Sequence, residues 1–317
     1  MRKRSFTDYV ADRFDSELYN GVQSFISENY SMLQLRLSKI QSIESIEASD
    51  TKVKFIKIND LPVMGIEFDV VIEADLGVED RDYRIESENC SQWFILKCVG
   101  SLDHGLEDFK IINVSEYLNK SKQQNPMSDS LVPIIRSEDL EPMATDFLQR
   151  YYPQALKSPI YLDHHKLADN MGLNVKVQEI TKDLSVFWQM YFHDCYTELY
   201  DETTDESVEV KVESGTIIVD PKTYFLCNLG SVNNTIVHEC VHWDKHRKAF
   251  ELQRLYDSDL TKIKCQVLGG IKGNNKEATE WMEWQANALT PKIQMPLEMF
   301  KLKAHPNEDG TVIDVRI

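Results

Sequence analysis

The residues Thr235-Ile-Val-His238-Glu239-Cys240-Val241-His242-Trp243 contain His-Glu-x-x-His. Histidines four positions apart on a helix lie about 40° apart round its axis and one turn up, so both imidazoles can reach one cation. Glu239, one position after the first histidine, points beside that cation. A carboxylate placed there suits taking a proton from a metal-activated water. One Zn2+ ion is the cofactor this donor pattern calls for, and it needs a third protein ligand. Downstream, Glu277-Ala-Thr-Glu280-Trp-Met-Glu283-Trp-Gln-Ala286-Asn287 offers three acids spaced by three, on roughly one face of a second helix. Spacing alone does not choose among Glu277, Glu280 and Glu283. His246 falls four residues past His242, but the metzincin pattern sets its third histidine further on, after a glycine. His246 is therefore read as supporting the ligands, facing substrate or packing. His246 and Tyr256 are the nearest candidates in sequence for stabilising an oxyanion. Cys240 turns to another face of the helix and reads as packing, as does the adjacent pair His164 and His165.

These residues need elements to hold them. Ile236, Val237, Cys240 and Val241 give the motif helix an apolar face, and Ser231, Asn233 and Asn234 offer N-cap oxygens just before it. Residues 215–221 form a short apolar strand immediately ahead. Its place in the chain predicts a sheet edge, where Thr216, Ile217, Ile218 and Val219 would pair with an extended peptide substrate. Residues 186–200 are strand-rich and lead through an acidic hairpin tip at 201–206 into a strand at 208–212. Earlier, Ser137-Glu-Asp-Leu-Glu-Pro starts a helix through Met143, Ala144, Phe147 and Leu148. A short helix at 163–170 and a strand at 175–180 follow.

The first half has a different rhythm. Phe6, Tyr9, Val10, Phe14, Leu18, Val22, Phe25 and Ile26 follow three-and-four spacing, which predicts helix through about residue 40. From about 52 to 115 the period becomes two, with strands at 53–58, 65–73, 92–98 and 109–114 joined as an antiparallel meander. The polar, proline-broken stretch 119–129 predicts the domain boundary. The expected organisation is an α+β domain of unassigned role at 1–126, then an α+β domain at 127–317 carrying the chemistry.

The chain has 317 residues, 42% hydrophobic and 27% charged, as expected of a soluble globular protein with a substantial core. A net charge of −17, spread over both halves, repels phosphate backbones and counts against direct nucleic-acid binding. No apolar run approaches the roughly twenty residues needed to cross a bilayer. The basic N-terminus has no apolar stretch behind it, so a cytoplasmic location is expected. The six cysteines form no Cys-x-x-Cys and read as reduced thiols.

From about residue 130 onward the chain resembles the ImmA/IrrE family of metallopeptidases. The matching features are the strand at 215–221, His238-Glu-x-x-His242, Glu283-x-x-Ala286-Asn287 and the Met295-Pro296 pair close behind. It departs from the family at Cys240-Val241, where many members have Leu-Gly. The family's common helix-turn-helix partner domain is not visible in residues 1–126. The resemblance implies a zincin-like domain with Glu283 as third ligand, which leaves Glu280 beside the site or on the surface. It also implies a zinc endopeptidase acting on a regulatory protein such as a transcriptional repressor or stress regulator. Two other functions fit the same residues: a catalytically silent zinc-binding regulator that docks a partner, and a zinc hydrolase of non-peptide substrates.

Overall fold

Alternation of side chains across a pleat explains the strands of the first half. The computed structural model describes residues 5–60, 65–81, 87–118, 126–222, 229–256, 262–266, 276–306 and 312–315. They divide into two units between Ile134 and Ile135.

In the first unit, helices α1 (Phe6–Arg13) and α2 (Asp15–Asn29) precede four strands, β1 (Ile43–Asp60), β2 (Gly65–Asp80), β3 (Glu88–Ser101) and β4 (Lys110–Glu116). The strands form the expected antiparallel meander in the order β1-β2-β3-β4. The helical stripe packs on this sheet. Phe6 meets Phe68 edge-on at 5.0 Å, Phe14 stacks on Phe109 at 4.1 Å, and Phe25 meets Phe94 at 5.9 Å. A side chain at Gly21 would put its Cβ 2.9 Å from Ile111 Cδ1, so glycine permits the close approach of α2 to β4.

Three expectations are corrected here. Strand β1 starts ten residues before the predicted 53, because irregularities at Ile43/Ser45, Ala48/Asp50 and Val53/Phe55 break its two-residue period. Helix does not run to residue 40. It ends at Asn29, with one 3-10 turn at Tyr30–Met32 beyond it. The Glu88 carboxylate then accepts the backbone N–H groups of Ser38, Lys39 and Ile40 and holds that stretch out of a helix. The boundary also falls eight residues later than expected. Asp129 accepts the N–H of Phe6 on its carbonyl and the N–H and hydroxyl of Thr7 on its carboxylate, which ties the segment after residue 126 to the first unit.

The second unit opens with α3 (Leu140–Tyr151), α4 (His164–Asn170) and β5 (Asn174–Val177). Then come β6 (Val186–Tyr191), β7 (Cys195–Asp201), β8 (Glu206–Val212) and β9 (Thr216–Val219). Helices α5 (Leu229–Lys245) and α6 (Arg247–Tyr256), strand β10 (Lys262–Gln266) and helices α7 (Lys276–Gln294) and α8 (Leu297–Lys303) follow. A small pair, β11 (Ala304–Pro306) and β12 (Val312–Val315), comes last. β7 and β8 form the expected hairpin with the acidic tip. The architecture is mixed α+β. No helix among the described residues is long and apolar enough to cross a membrane.

The sheet beside α5 has the order β10-β6-β9-β5. This overturns the edge-strand expectation for Thr216, Ile217, Ile218 and Val219. β9 pairs antiparallel with β6 and parallel with β5, and all four of its residues are buried. Its backbone is already engaged on both sides, so no substrate strand can add there. The edges are β5 and β10. Chain order suggested an edge because β9 comes last before the helix, but a buried run of Thr-Ile-Ile-Val belongs in a sheet centre.

Apolar faces of α3, α4, α5 and α7 close over this sheet. Phe147, Leu148, Leu167, Ile236, Val237, Cys240, Val241, Ala286 and Leu289 are buried together with Ile217 and Val219. Helix α5 begins at least six residues before Thr235. Ser231, Asn233 and Asn234 therefore lie inside it rather than capping it, and Asn233 donates its side-chain N–H to the Tyr161 hydroxyl.

Candidate metal centre

Helix α5 sets His238 and His242 about 40° apart in one row, and His246, one residue past its end with its N–H bonded to the His242 carbonyl, continues that row. Helix α7 packs against it through Ala286 and Leu289 and brings Glu283 to the same place. His238, His242 and Glu283 offer ligand atoms that all lie within 4.8 Å of one another. The two histidine Nε2 atoms face each other at 2.9 Å. Glu283 Oε2 is 3.4 Å from His238 Nε2, and its Oε1 is 3.3 Å from His242 Nε2. Tetrahedral zinc with bonds of about 2.0–2.1 Å sets its ligand atoms about 3.3 Å apart. The two Glu283 distances match that spacing and the histidine pair is somewhat closer, so the group could hold one metal ion. They are also the right types: two imidazoles and a carboxylate.

Of the acids that spacing left open, the structure brings Glu283 to the histidines. Glu280 stands one turn earlier on α7 and is exposed. The Glu277 side chain lies outside the described residues. Tyr256 is the last residue of α6.

Burial shapes the electrostatics. His242 is almost wholly buried, which disfavours its charge, yet the hydrogen bond to Glu283 and the charge of Glu239 raise its pKa overall. Burial pushes Glu283 up, but its contacts with His238 and His242 outweigh that and hold the carboxylate well below the usual range. Glu239 is buried, and loss of solvent raises its pKa, against the pull of His242 and His238. The neighbouring Trp188 indole also lowers it. A carboxylate in this setting is a better proton acceptor than one in water.

A row of buried polar groups continues beyond the ligands. His246 Nδ1 lies 2.9 Å from His242 Nδ1, and His246 Nε2 lies 2.9 Å from Gln285 Oε1. His246 and Gln285 are both fully buried. Burial first, then the neighbouring His242, keeps His246 well below the ordinary histidine pKa. Sequence reasoning had His246 but not Gln285. Its only signal was a polar residue at a buried position, two places after Glu283.

Further along α5, Asp244 is gripped from α3. Arg150 donates to both its oxygens, at 2.7 and 3.0 Å, and the Tyr151 hydroxyl donates at 2.8 Å. Cys240 is packed in the core, and burial pushes its thiol pKa far up. Cys90, Cys98, Cys195 and Cys240 are free thiols; Cys227 and the side chain of Cys265 lie outside the described residues. His164 and His165 touch through their rings, and neither joins a metal-type cluster among the described residues.

No protein-family model matches this chain, nor does any curated protein or solved structure.

Proposed function

We propose that the second unit is a zinc-dependent endopeptidase of the ImmA/IrrE type. The observation that carries this reading is the convergence of His238, His242 and Glu283 at 2.9–3.4 Å, with Glu239 buried beside them. His238 and His242 through Nε2 and Glu283 through its carboxylate would hold the metal. A zinc ion bound there supplies Lewis-acid polarisation of a scissile carbonyl and makes water acidic enough to attack near neutral pH.

The chain's own residues do the remaining work. The Glu239 carboxylate takes the proton of the attacking water and returns it to the nitrogen of the leaving amine. Its burial favours the protonated form it must pass through. The apolar shell of Ile236, Val237, Cys240 and Val241 keeps α5 rigid, so the histidine row does not need to reorganise during the reaction. A regulatory protein, such as a repressor or stress regulator, is the proposed substrate class, by the resemblance in sequence.

The test is to incubate the zinc-loaded protein with a peptide library derived from a whole proteome and identify new N-termini by mass spectrometry. Wild type should generate them. A chelator should abolish them, and Glu239→Gln should abolish them while retaining one zinc per chain. A wild-type protein that holds zinc yet yields no new termini would overturn the endopeptidase reading.

A further inference from the structure

We infer that Gln285 and His246 are positioning residues that hold a ring hydrogen of His242 on Nδ1, so that Nε2 is the nitrogen open to a cation shared with His238 and Glu283. The consequence for metal binding rests on the proposed zinc reading; the hydrogen on His242 Nδ1 is a property of the metal-free chain.

The argument follows the protons along the row. A neutral imidazole has one N–H and one lone-pair nitrogen. Gln285 presents its amide oxygen to His246 Nε2 at 2.9 Å, and an oxygen there can only accept. His246 must then hold its hydrogen on Nε2, which leaves Nδ1 as an acceptor. The nearest partner of that nitrogen is His242 Nδ1, also at 2.9 Å, so His242 carries its hydrogen on Nδ1 and donates it. His242 Nε2 is then the nitrogen open to a cation: it lies 2.9 Å from His238 Nε2 and 3.3 Å from Glu283 Oε1, and any hydrogen it shares with that carboxylate is the one a cation displaces.

Reversing the amide would reverse every step and put a hydrogen on His242 Nε2, where a cation has to bind. One buried glutamine thus decides whether the ring is a ligand. Water cannot randomise the choice, since His242, His246 and Gln285 are each no more than 1% exposed. Groups that orient a histidine through its second nitrogen commonly change metal affinity by roughly 10–100-fold.

Two measurements test this. In metal-free wild type, long-range 1H–15N correlation of the histidine rings should show His242 protonated at Nδ1 and His246 protonated at Nε2. In competition with a chelator, Gln285→Leu should bind Zn2+ roughly 10–100-fold more weakly. Gln285→Glu, which also only accepts, should stay within a few-fold of wild type and keep the His242 tautomer. Circular dichroism of the metal-free variants separates a lost relay from lost folding. A His242 ring without a hydrogen on Nδ1 in wild type would overturn the inference even if zinc binds tightly. Zinc-free behaviour of wild type with the Nδ1–H tautomer in place would instead overturn the enzyme reading and leave the relay standing.

Discussion

Arg150 on α3 holds Asp244 on α5 through both carboxylate oxygens, two residues past the metal-site histidine His242. The Asp244 side chain is only 4% exposed, whereas Arg150 is 39% exposed. Together with the Tyr151 hydroxyl, this grip anchors the end of the histidine row to a second helix. It also holds the Asp244 pKa below its usual range despite burial.

Arg150→Met should therefore leave a buried carboxylate with the Tyr151 hydroxyl and Lys245 as its remaining partners. Breaking a fully buried pair costs roughly 3–5 kcal/mol, and solvent screening of the exposed guanidinium reduces this to about 2 kcal/mol. Urea unfolding at neutral pH should show that loss. The difference between wild type and variant should narrow as pH falls below about 4, because a depressed carboxylate contributes its stability above its unfolded pKa and loses it on protonation. An unchanged midpoint would mean that the clamp contributes nothing.

Removing the metal should destabilise the second unit. A ligand at 100 times its dissociation constant adds about 2.7 kcal/mol to the folded state. Calorimetry of zinc-loaded wild type should thus show a melting transition that falls on adding chelator. In Glu283→Ala, zinc should raise that transition much less, and His242→Ala should respond least. Equal responses in all three proteins would remove these residues from the site.

The Glu88 carboxylate is drawn down to about 2 by the Ser38 hydroxyl, then by the Ser38 and Lys39 N–H groups. The sign follows from the depressed value. The stabilisation is fully present above the unfolded pKa of about 4.3 and disappears as pH falls toward 2. Amide proton shifts of Ser38 and Lys39 should titrate with a midpoint near 2. A midpoint near 4 would show that the carboxylate is not held as described. In Glu88→Gln the titration should vanish.

Strand β9 lies between β5 and β6, so proline should be tolerated at neither of two successive positions. Ile217→Pro and Ile218→Pro each remove an N–H, on opposite sides of the strand, and both should unfold the second unit or lower its melting temperature sharply. In an edge strand, one of the two would be nearly harmless. Normal stability in either variant would contradict the central placement.

Much of this protein is written in local periodicity. His238 and His242 were legible because a helix brings residues four apart to one side whatever surrounds it. The meander strands were legible because alternation across a pleat is likewise a property of neighbours in the chain, and β1 was misjudged only where irregularities interrupt that alternation. Composition could not supply what depends on distant partners. Spacing made Glu277, Glu280 and Glu283 equivalent, and only the packing of α7 on α5 set Glu283 against both histidines. The end of the first unit depended on Asp129 reaching back to Phe6 and Thr7. Strand order made β9 central, since hydrogen bonds to β5 and β6 join segments far apart in the chain. Gln285 lies 39 residues from His246 and two from Glu283, a spacing that puts it on a different face of the helix from Glu283. Its part in the row of histidines exists only once two helices have closed over the same buried space.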